Sequence, residues 1–280
     1  MRGMSSLRRC VRTLLVLACF WHFWLGGVIL AWTYAPATWL LERDELKRRR
    51  RVQRLLRKCF GVFHGVMRAM GLVELRAAPA LASLLPRPRM FVANHPTLVD
   101  VTAILSALDD VCCVIKPSLM RSPFIGPLLR VAGHIDGGRG DAASGAAALK
   151  ASVDRLHDGF SVLIFPEGTR SPLRGLHPFK RGAFELAARG QVEVQPIVVR
   201  CDPPALGKGV PVWAHPLDIA VLTLDVGEPV DASAWTGKTR ALRALVESKY
   251  RESLGLPAST PAVMQRSAEH GMNDQWVSQR

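Results

Sequence analysis

The sequence predicts an α/β domain with a mostly parallel central sheet flanked by helices, carried behind an N-terminal hydrophobic membrane anchor. Three observations predict it. From residue 89 onward, short apolar runs alternate with stretches of helical periodicity, the rhythm of strands joined by crossover helices. No Asp, Glu, Lys or Arg occurs between Thr13 and Leu41, a stretch long enough to span a bilayer. Two of the apolar runs, one ending at Ala93 and one at Phe165, close on polar residues. The C-terminal ends of such strands are where α/β sheets place their sites.

About half of the 280 residues are hydrophobic, enough for a sizeable core without metals or disulfides. The six cysteines (Cys10, Cys19, Cys59, Cys112, Cys113, Cys201) show no C-x-x-C pairing and no metal-ligand spacing. The adjacent Cys112 and Cys113 read as small core residues. A reducing, cytosol-facing domain is expected. The formal charge of +14 points to acidic partners, and its placement decides which.

Residues 1–41 are read as a basic leader (Arg2, Arg8, Arg9, Arg12) and a membrane-embedded hydrophobic segment. A signal peptide is the alternative, but the stretch is long and has no A-x-A-like site. Trp21, Trp24, Trp32, Tyr34 and Trp39 are spread along it as in an interfacial segment. Arg43, Lys47 and Arg48–Arg51 follow, so both flanks are basic. A one-way span is asymmetric under the positive-inside tendency, so a helical hairpin turning at Gly26-Gly27 or Pro36 is preferred over a single span.

Residues 42–78 are expected to form a basic amphipathic interfacial helix and a linker. Val52, Leu55, Leu56, Cys59, Phe60, Phe63 and Met67 recur at helical spacing opposite Arg48, Arg51, Arg54, Arg57 and Lys58. An ordinary surface helix has the same pattern, but beside an anchor it fits contact with anionic headgroups. No nucleic-acid motif or basic–aromatic interleaving occurs elsewhere, so membrane lipids are the expected partner and nucleic acid is not.

The α/β domain is expected over 79–256, after a Pro79/Pro86/Pro88 linker, with a loose polar tail at 257–280. Strands are predicted near 89–94, 111–116, 160–165 and 193–200. Helices are predicted near 97–107, 122–132, 142–157, 178–189 and 238–253.

His95 precedes Pro96, which pushes it to extended geometry and is welcome in a first helical turn. His95 is therefore expected at the strand–helix junction, with Asp100 about one turn inside the helix. From there the ring can fold back onto the carboxylate. A carboxylate on one ring nitrogen fixes the tautomer and leaves the other free to take a proton. A histidine with an aspartate five residues later is common by chance, so the spacing alone carries little. In Glu167-Gly168-Thr169-Arg170, Gly168 permits a tight turn and Arg170 offers a planar fork of donors suited to phosphate. Thr169 and Ser171 add hydroxyls, and Lys180 and Arg181 follow. An isolated surface turn with an Arg–Glu pair has the same composition.

Together the two segments are far more specific. Asn94-His95-Pro96-Thr97-Leu98-Val99-Asp100 resembles the N-H-x4-D block of the glycerolipid acyltransferase family, typified by the bacterial 1-acyl-glycerol-3-phosphate (lysophosphatidate) acyltransferases. Phe165-Pro166-Glu167-Gly168-Thr169-Arg170-Ser171 resembles its F-P-E-G-T-R-S block. Gly133-His134-Ile135-Asp136 is similar to a weakened second block, and Val194-Gln195-Pro196-Ile197-Val198 to the fourth. The resemblance covers residues 85–205. It implies a glycerolphosphate-acyltransferase-like fold, with His95 as general base and Asp100 as its orienting partner. It also implies that Glu167, Gly168 and Arg170 bind the acceptor, with Arg170 on the phosphate; Thr169 in the turn and Lys180 after it are expected, from the residues themselves, to supplement that anion site. Acyl-CoA or acyl-carrier protein is the implied donor and a lysolipid the acceptor. No metal, no cofactor and no covalent acyl-enzyme are expected. The implied location is the bacterial inner membrane, with the catalytic domain on the cytoplasmic side.

The sequence departs from the family in its second block. Gly137 stands where members often carry an arginine, and Arg139 lies two residues on as a substitute; His134 takes a position usually apolar or aromatic. The later Pro204…Trp213…Pro216 run is similar to a subgroup found with aryl-polyene or other specialised lipid synthesis. The alternatives are therefore acyl transfer to another lysolipid, an ornithine-type lipid or an aryl-polyene lipid, or a non-catalytic lipid-binding protein. No G-x-S-x-G elbow occurs, which sets a lipase aside.

Overall fold

The computed structural model describes residues 2–84, 87–173 and 175–257. The tail expected at 257–280 lies outside the described residues beyond Pro257.

The chain begins with helix α1 (Arg2–Ile29), which runs through a π-helical turn, Leu30–Tyr34, into α2 (Ala35–Leu41). The hairpin expected here does not form, and the backbone stays helical through both proposed turning points. Gly26 and Gly27 each weaken a helix by only ~1 kcal/mol, and neither has φ > 0. Gly27 instead permits close approach, since a Cβ there would lie 3.3 Å from Ile125 Cγ2. Pro36 sits in the first turn of α2, where its missing N–H is tolerated, and the π turn absorbs the mismatch just before it. Over Leu7–Leu41 the helix is long and apolar enough to cross a membrane, by length and composition.

Asp44 caps α3 (Glu45–Ala69) by accepting from the Leu46 and Lys47 backbone N–H groups. The apolar face of α3 packs on the domain as expected, but its cationic face is not all solvated. Arg51, Arg54 and Lys58 are exposed. Arg48 is buried with its guanidinium 3.8 Å over the Trp39 ring. Arg49 is buried and paired with Glu45 and Asp158, and Arg57 meets Asp109 at 2.9 Å. Of the five cations expected to face lipid, three are thus exposed, Arg48 packs on α2 and Arg57 fastens α3 to the domain, as does Arg49.

Among the described residues, eight strands form one sheet: β1 (Val73–Ala77), β2 (Met90–Ala93), β3 (Val111–Ile115), β4 (Ile135–Asp136), β5 (Ser161–Ile164), β6 (Glu193–Asp202), β7 (Ala220–Val226) and β8 (Val230–Asp231). The order is β1-β7-β6-β2-β5-β3-β4, with β8 also on β6. Five of seven pairings are parallel; only β6–β7 and β6–β8 are antiparallel. The sheet thus takes in β1, within the 42–78 stretch expected to be helix and linker. The two central strands, β2 and β5, are buried almost throughout. Along β2, Phe91 and Ala93 enter the core layer shared with α1, α3 and α4 (Asp100–Ala107), while Met90 and Val92 enter the opposite one. That second layer is built by α7 (Ala142–His157), α8 (Gly182–Gly190) and α9 (Thr239–Ser253).

The helix expected near 122–132 is the shorter α6 (Gly126–Val131), preceded by a separate short helix, α5 (Pro117–Met120). Pro123 stands in the gap between them, because the residue before a proline avoids helical geometry, and Pro127 sits in the first turn of α6, where its missing N–H is tolerated.

Candidate active site

His95 stands two residues past the end of β2, the most central parallel strand, and Asp100 opens α4. The helix begins three residues later than predicted because the Pro96–Val99 loop wraps the Asp100 carboxylate. His95 Nδ1 lies 2.8 Å from Asp100 Oδ2, which also accepts from Thr97 N at 2.7 Å. The Thr97 hydroxyl donates to Oδ1 at 2.5 Å. Asp100 is fully buried. Burial pushes its carboxyl up from the ordinary range, and the bonds from His95 and Thr97 oppose that push. With Nδ1 committed to the carboxylate, Nε2 is the nitrogen left to exchange a proton. The imidazole rests on the Phe165 ring, centroids 4.4 Å apart.

Three further groups hold His95 in place. The Asn94 side chain pairs with Val199 of β6 like a strand residue, accepting from Val199 N at 2.7 Å and donating to Val199 O at 2.8 Å. On α9, the buried Tyr250 hydroxyl accepts from Ile197 N at 3.0 Å and donates to Val92 O at 2.5 Å. It thereby bridges β2 and β6 beside Pro196, which has no N–H to give. Glu167 is the third. It is 3 % exposed, and its Oε1 accepts from His95 N at 3.2 Å and from the Ser171 hydroxyl at 2.5 Å, while Oε2 accepts from His177 N at 2.8 Å. Expected among the acceptor-binding groups, Glu167 instead spends its bonds inside the protein. Burial raises its carboxyl and these bonds oppose the rise.

The rest of the 167–170 turn faces outward. Gly168 has φ +69°, and a Cβ there would collide with the Lys180 side chain, so Lys180 lies across the turn. Arg170 Nη1 donates to Leu206 O and Gly207 O at 3.3 and 3.2 Å. Lys208, carried between Gly207 and Gly209, donates to Thr169 Oγ1 at 3.0 Å. Among the described residues none of Arg170, Lys180 and Lys208 makes an ion pair. With Glu167 turned inward, three cations and a hydroxyl are left without a local counter-charge, the make-up of an anion site.

Arg139 is not brought into this cluster. It follows β4, the edge strand three places from β2, about 14 Å across the sheet. Its backbone N–H donates to Ser144 Oγ at 3.0 Å. His134 is buried and accepts from Cys113 N at 3.1 Å, a core histidine. Asn94, Thr97, Phe165, Lys208 and Tyr250 were not singled out by sequence reasoning as site residues, and Ser171, expected to offer its hydroxyl to an anion, donates it to Glu167 instead. The first three stand inside the two motif blocks. Lys208 and Tyr250 lie outside the blocks and carry no local signal.

Comparison with known proteins follows the same outline. Residues 81–200 match a family model described as Acyltransferase. The 1-acyl-sn-glycerol-3-phosphate acyltransferase of Salmonella typhimurium is 32% identical over 171 residues, 58% of this chain and 67% of that protein. The chloroplastic 1-acyl-sn-glycerol-3-phosphate acyltransferase BAT2 of Brassica napus is 36% identical over 112 residues, 40% of this chain and 33% of that protein. The chain thus spans about a third of the length of its plant and algal relatives. In fold it is similar to the crystal structure of the 1-acyl-sn-glycerophosphate (LPA) acyltransferase PlsC from Thermotoga maritima. The TM-score is 0.68 at 22% identity, over 90% of this chain and 100% of that one. The chain belongs to the acyltransferase family that includes the 1-acyl-sn-glycerol-3-phosphate acyltransferases.

Proposed function

We propose that the chain is a membrane-associated O-acyltransferase that moves an acyl group from a thioester to the hydroxyl of lysophosphatidate. The observation that carries this reading is the pairing of the two features at one sheet end. The His95–Asp100 dyad, with Nδ1 and Oδ2 2.8 Å apart, stands beside a turn of unpaired cations.

In this mechanism His95 Nε2 takes the proton of the acceptor hydroxyl as its oxygen attacks the thioester carbonyl carbon. Asp100 holds the ring and stabilises the imidazolium. The tetrahedral intermediate collapses with cleavage of the C–S bond, and His95 returns the proton to the departing thiolate. An ester and a free thiol result, with no acyl group ever on the protein. Arg170, Lys180, Lys208 and Thr169 hold the acceptor phosphate. Glu167 acts by positioning His95 and the turn and does not touch the acceptor. The donor is acyl-CoA or acyl-carrier protein. The apolar Leu7–Leu41 helix supports membrane association, and the bacterial inner membrane is the location proposed. The six free cysteines fit a domain on its cytoplasmic side.

A second reading, transfer to a different lysolipid, is favoured by one observation. Gly137 replaces the arginine usual after the second block, and Arg139 sits at the sheet edge. Both readings are tested by offering labelled acyl-CoA and, separately, acyl-carrier protein, with lysophosphatidate beside a panel of lysolipids. Phosphatidate as the dominant product supports the first reading. Product only from an acceptor without a phosphomonoester replaces it with the second.

A further inference from the structure

Outside α1, the π-helical turn that follows it, α2 and α3, the described residues expose five large apolar side chains: Trp213 (70%), Phe124 (60%), Leu173 (59%), Leu98 (51%) and Leu217 (41%). Their placement is not scattered. Leu98 follows the C-terminal end of β2, Phe124 that of β3, and Leu173 that of β5. Trp213 and Leu217 follow that of β6. All five therefore rise from the end of the sheet that carries His95. The helices that cover the second core layer, α7, α8 and α9, expose no large apolar side chain among the described residues.

Contacts join these loops into one rim. Leu98 N donates to Leu206 O at 3.0 Å. The Leu173 side chain lies against Gly207, where a Cβ would meet it at 3.0 Å. The Val212–Ala214 turn packs on α1. Helix α1 also touches the rim near both its ends. Arg12 donates to Asp218 O at 2.8 Å, and Trp32, just past α1, donates to Pro123 O at 3.1 Å. Those two positions are about 30 Å apart along a helix axis. The apolar helix thus lies along the rim, and Trp21 stands on its exposed outer face. The uncompensated cations Lys180 and Lys208 stand at the same edge and suit headgroup phosphates.

We propose that this rim is a second membrane-contact surface. Trp213, Phe124 and Leu173 enter the headgroup–acyl boundary beside α1, so the mouth of the His95 site is seated in lipid. Apolar patches of this kind on a chain mark an interaction site, and tryptophan is at home at the interface of water and lipid. The inference rests on the membrane association proposed above and goes beyond it: an anchor alone requires lipid contact at α1 and none at the loops. Trp213 and Leu217 lie past residue 200, where the family match ends.

The test uses the full chain with Cys10→Ser and single environment-sensitive fluorophores at W213C, L173C, F124C, W21C on α1 or R240C on α9. Each is added to phosphatidylcholine–phosphatidylglycerol vesicles with and without doxyl-labelled acyl chains. The expected result is blue-shifted emission and doxyl quenching at positions 213, 173 and 124, comparable with position 21, and neither at 240. Quenching at 21 with the three rim positions still water-exposed overturns the inference and leaves the membrane reading standing. That outcome also covers a rim occupied by a carrier protein or a second copy. No quenching even at 21 overturns the membrane reading and the inference with it.

Discussion

His95 is held by a ring of neighbours, and each makes a different prediction. Replacing Asp100 by Asn leaves a side chain that accepts at one position only, so the imidazole loses its fixed tautomer. Turnover should fall by ~10²–10⁴, the range of positioned acid–base catalysis, with acceptor KM little changed. Glu167→Gln keeps an oxygen for His95 N and Ser171 but cannot accept from His177 N. A buried N–H left unpaired costs about 1–3 kcal/mol, so thermal unfolding should show a loss of that size and kcat should drop. Arg170→Ala and Lys208→Met should instead raise KM for a phosphorylated acceptor and leave donor KM alone, with Lys208→Arg restoring the acceptor KM. Steady-state kinetics separates the two groups, and a raised acceptor KM in Glu167→Gln with normal stability would return that carboxylate to the acceptor site. The contact between His95 and Asp100 was legible in the sequence because proline fixes the junction between them. The inward turn of Glu167 was not, because a turn carboxylate points outward or inward according to partners, Ser171 and His177, that only the fold delivers.

At the scale of elements, two buried histidines tie stability to pH. His64 on α3 donates to Thr102 on α4 at 3.0 Å, and burial lowers its pKa from the ordinary 6.5 to about 4. His134, against β3, is likewise lowered to about 4 by burial. Both are favoured neutral in the fold, so their stabilisation is fully present above pH 6.5 and is lost as pH falls toward 4. Each shift corresponds to roughly 3 kcal/mol. Burial raises Asp100 and Glu167 in the opposite sense, so the informative quantity is a difference. The stability of His134→Asn, which keeps an acceptor for Cys113 N, should fall less between pH 6.5 and 4 than that of the wild type. Denaturant titrations across that window measure it, and parallel curves would remove His134 as the cause. Gly133 offers a backbone test of the α3 clamp. It has φ +81°, and an added Cβ would collide with the Arg49 side chain. Gly133→Ala should cost ~2–4 kcal/mol, from left-handed strain and disturbance of the buried Arg49 ion pairs, read as a lower denaturation midpoint.

Across the molecule, what the sequence made legible follows periodicity. The four strands and the long helices of the βα rhythm stand within a few residues of their predicted places, because β2, β5 and their neighbours are continuous apolar runs. The strands added by the fold, β1, β4, β7 and β8, are short or carry charged residues such as Glu74 and Asp225, so their signal is set by pairing and not by composition. The hairpin reading failed for a related reason. Two glycines and a proline were weighed as breakers, but a helix packed along the domain outweighs ~1 kcal/mol per glycine. The same packing turned Arg48 and Arg49 from a solvated face into buried struts. At all three scales the proposal is the same: the sheet delivers His95 to a cationic mouth beside an apolar helix, where His95 is proposed to act as the base. Phosphatidate formation from acyl-CoA and lysophosphatidate by vesicle-bound wild type and His95→Ala, with vesicle binding and unfolding temperature measured on both, decides it. Wild-type turnover, a loss of ~10²–10⁴ in His95→Ala, and unchanged binding and stability are expected. Equal turnover in a folded, membrane-bound His95→Ala would rule His95 out as the base.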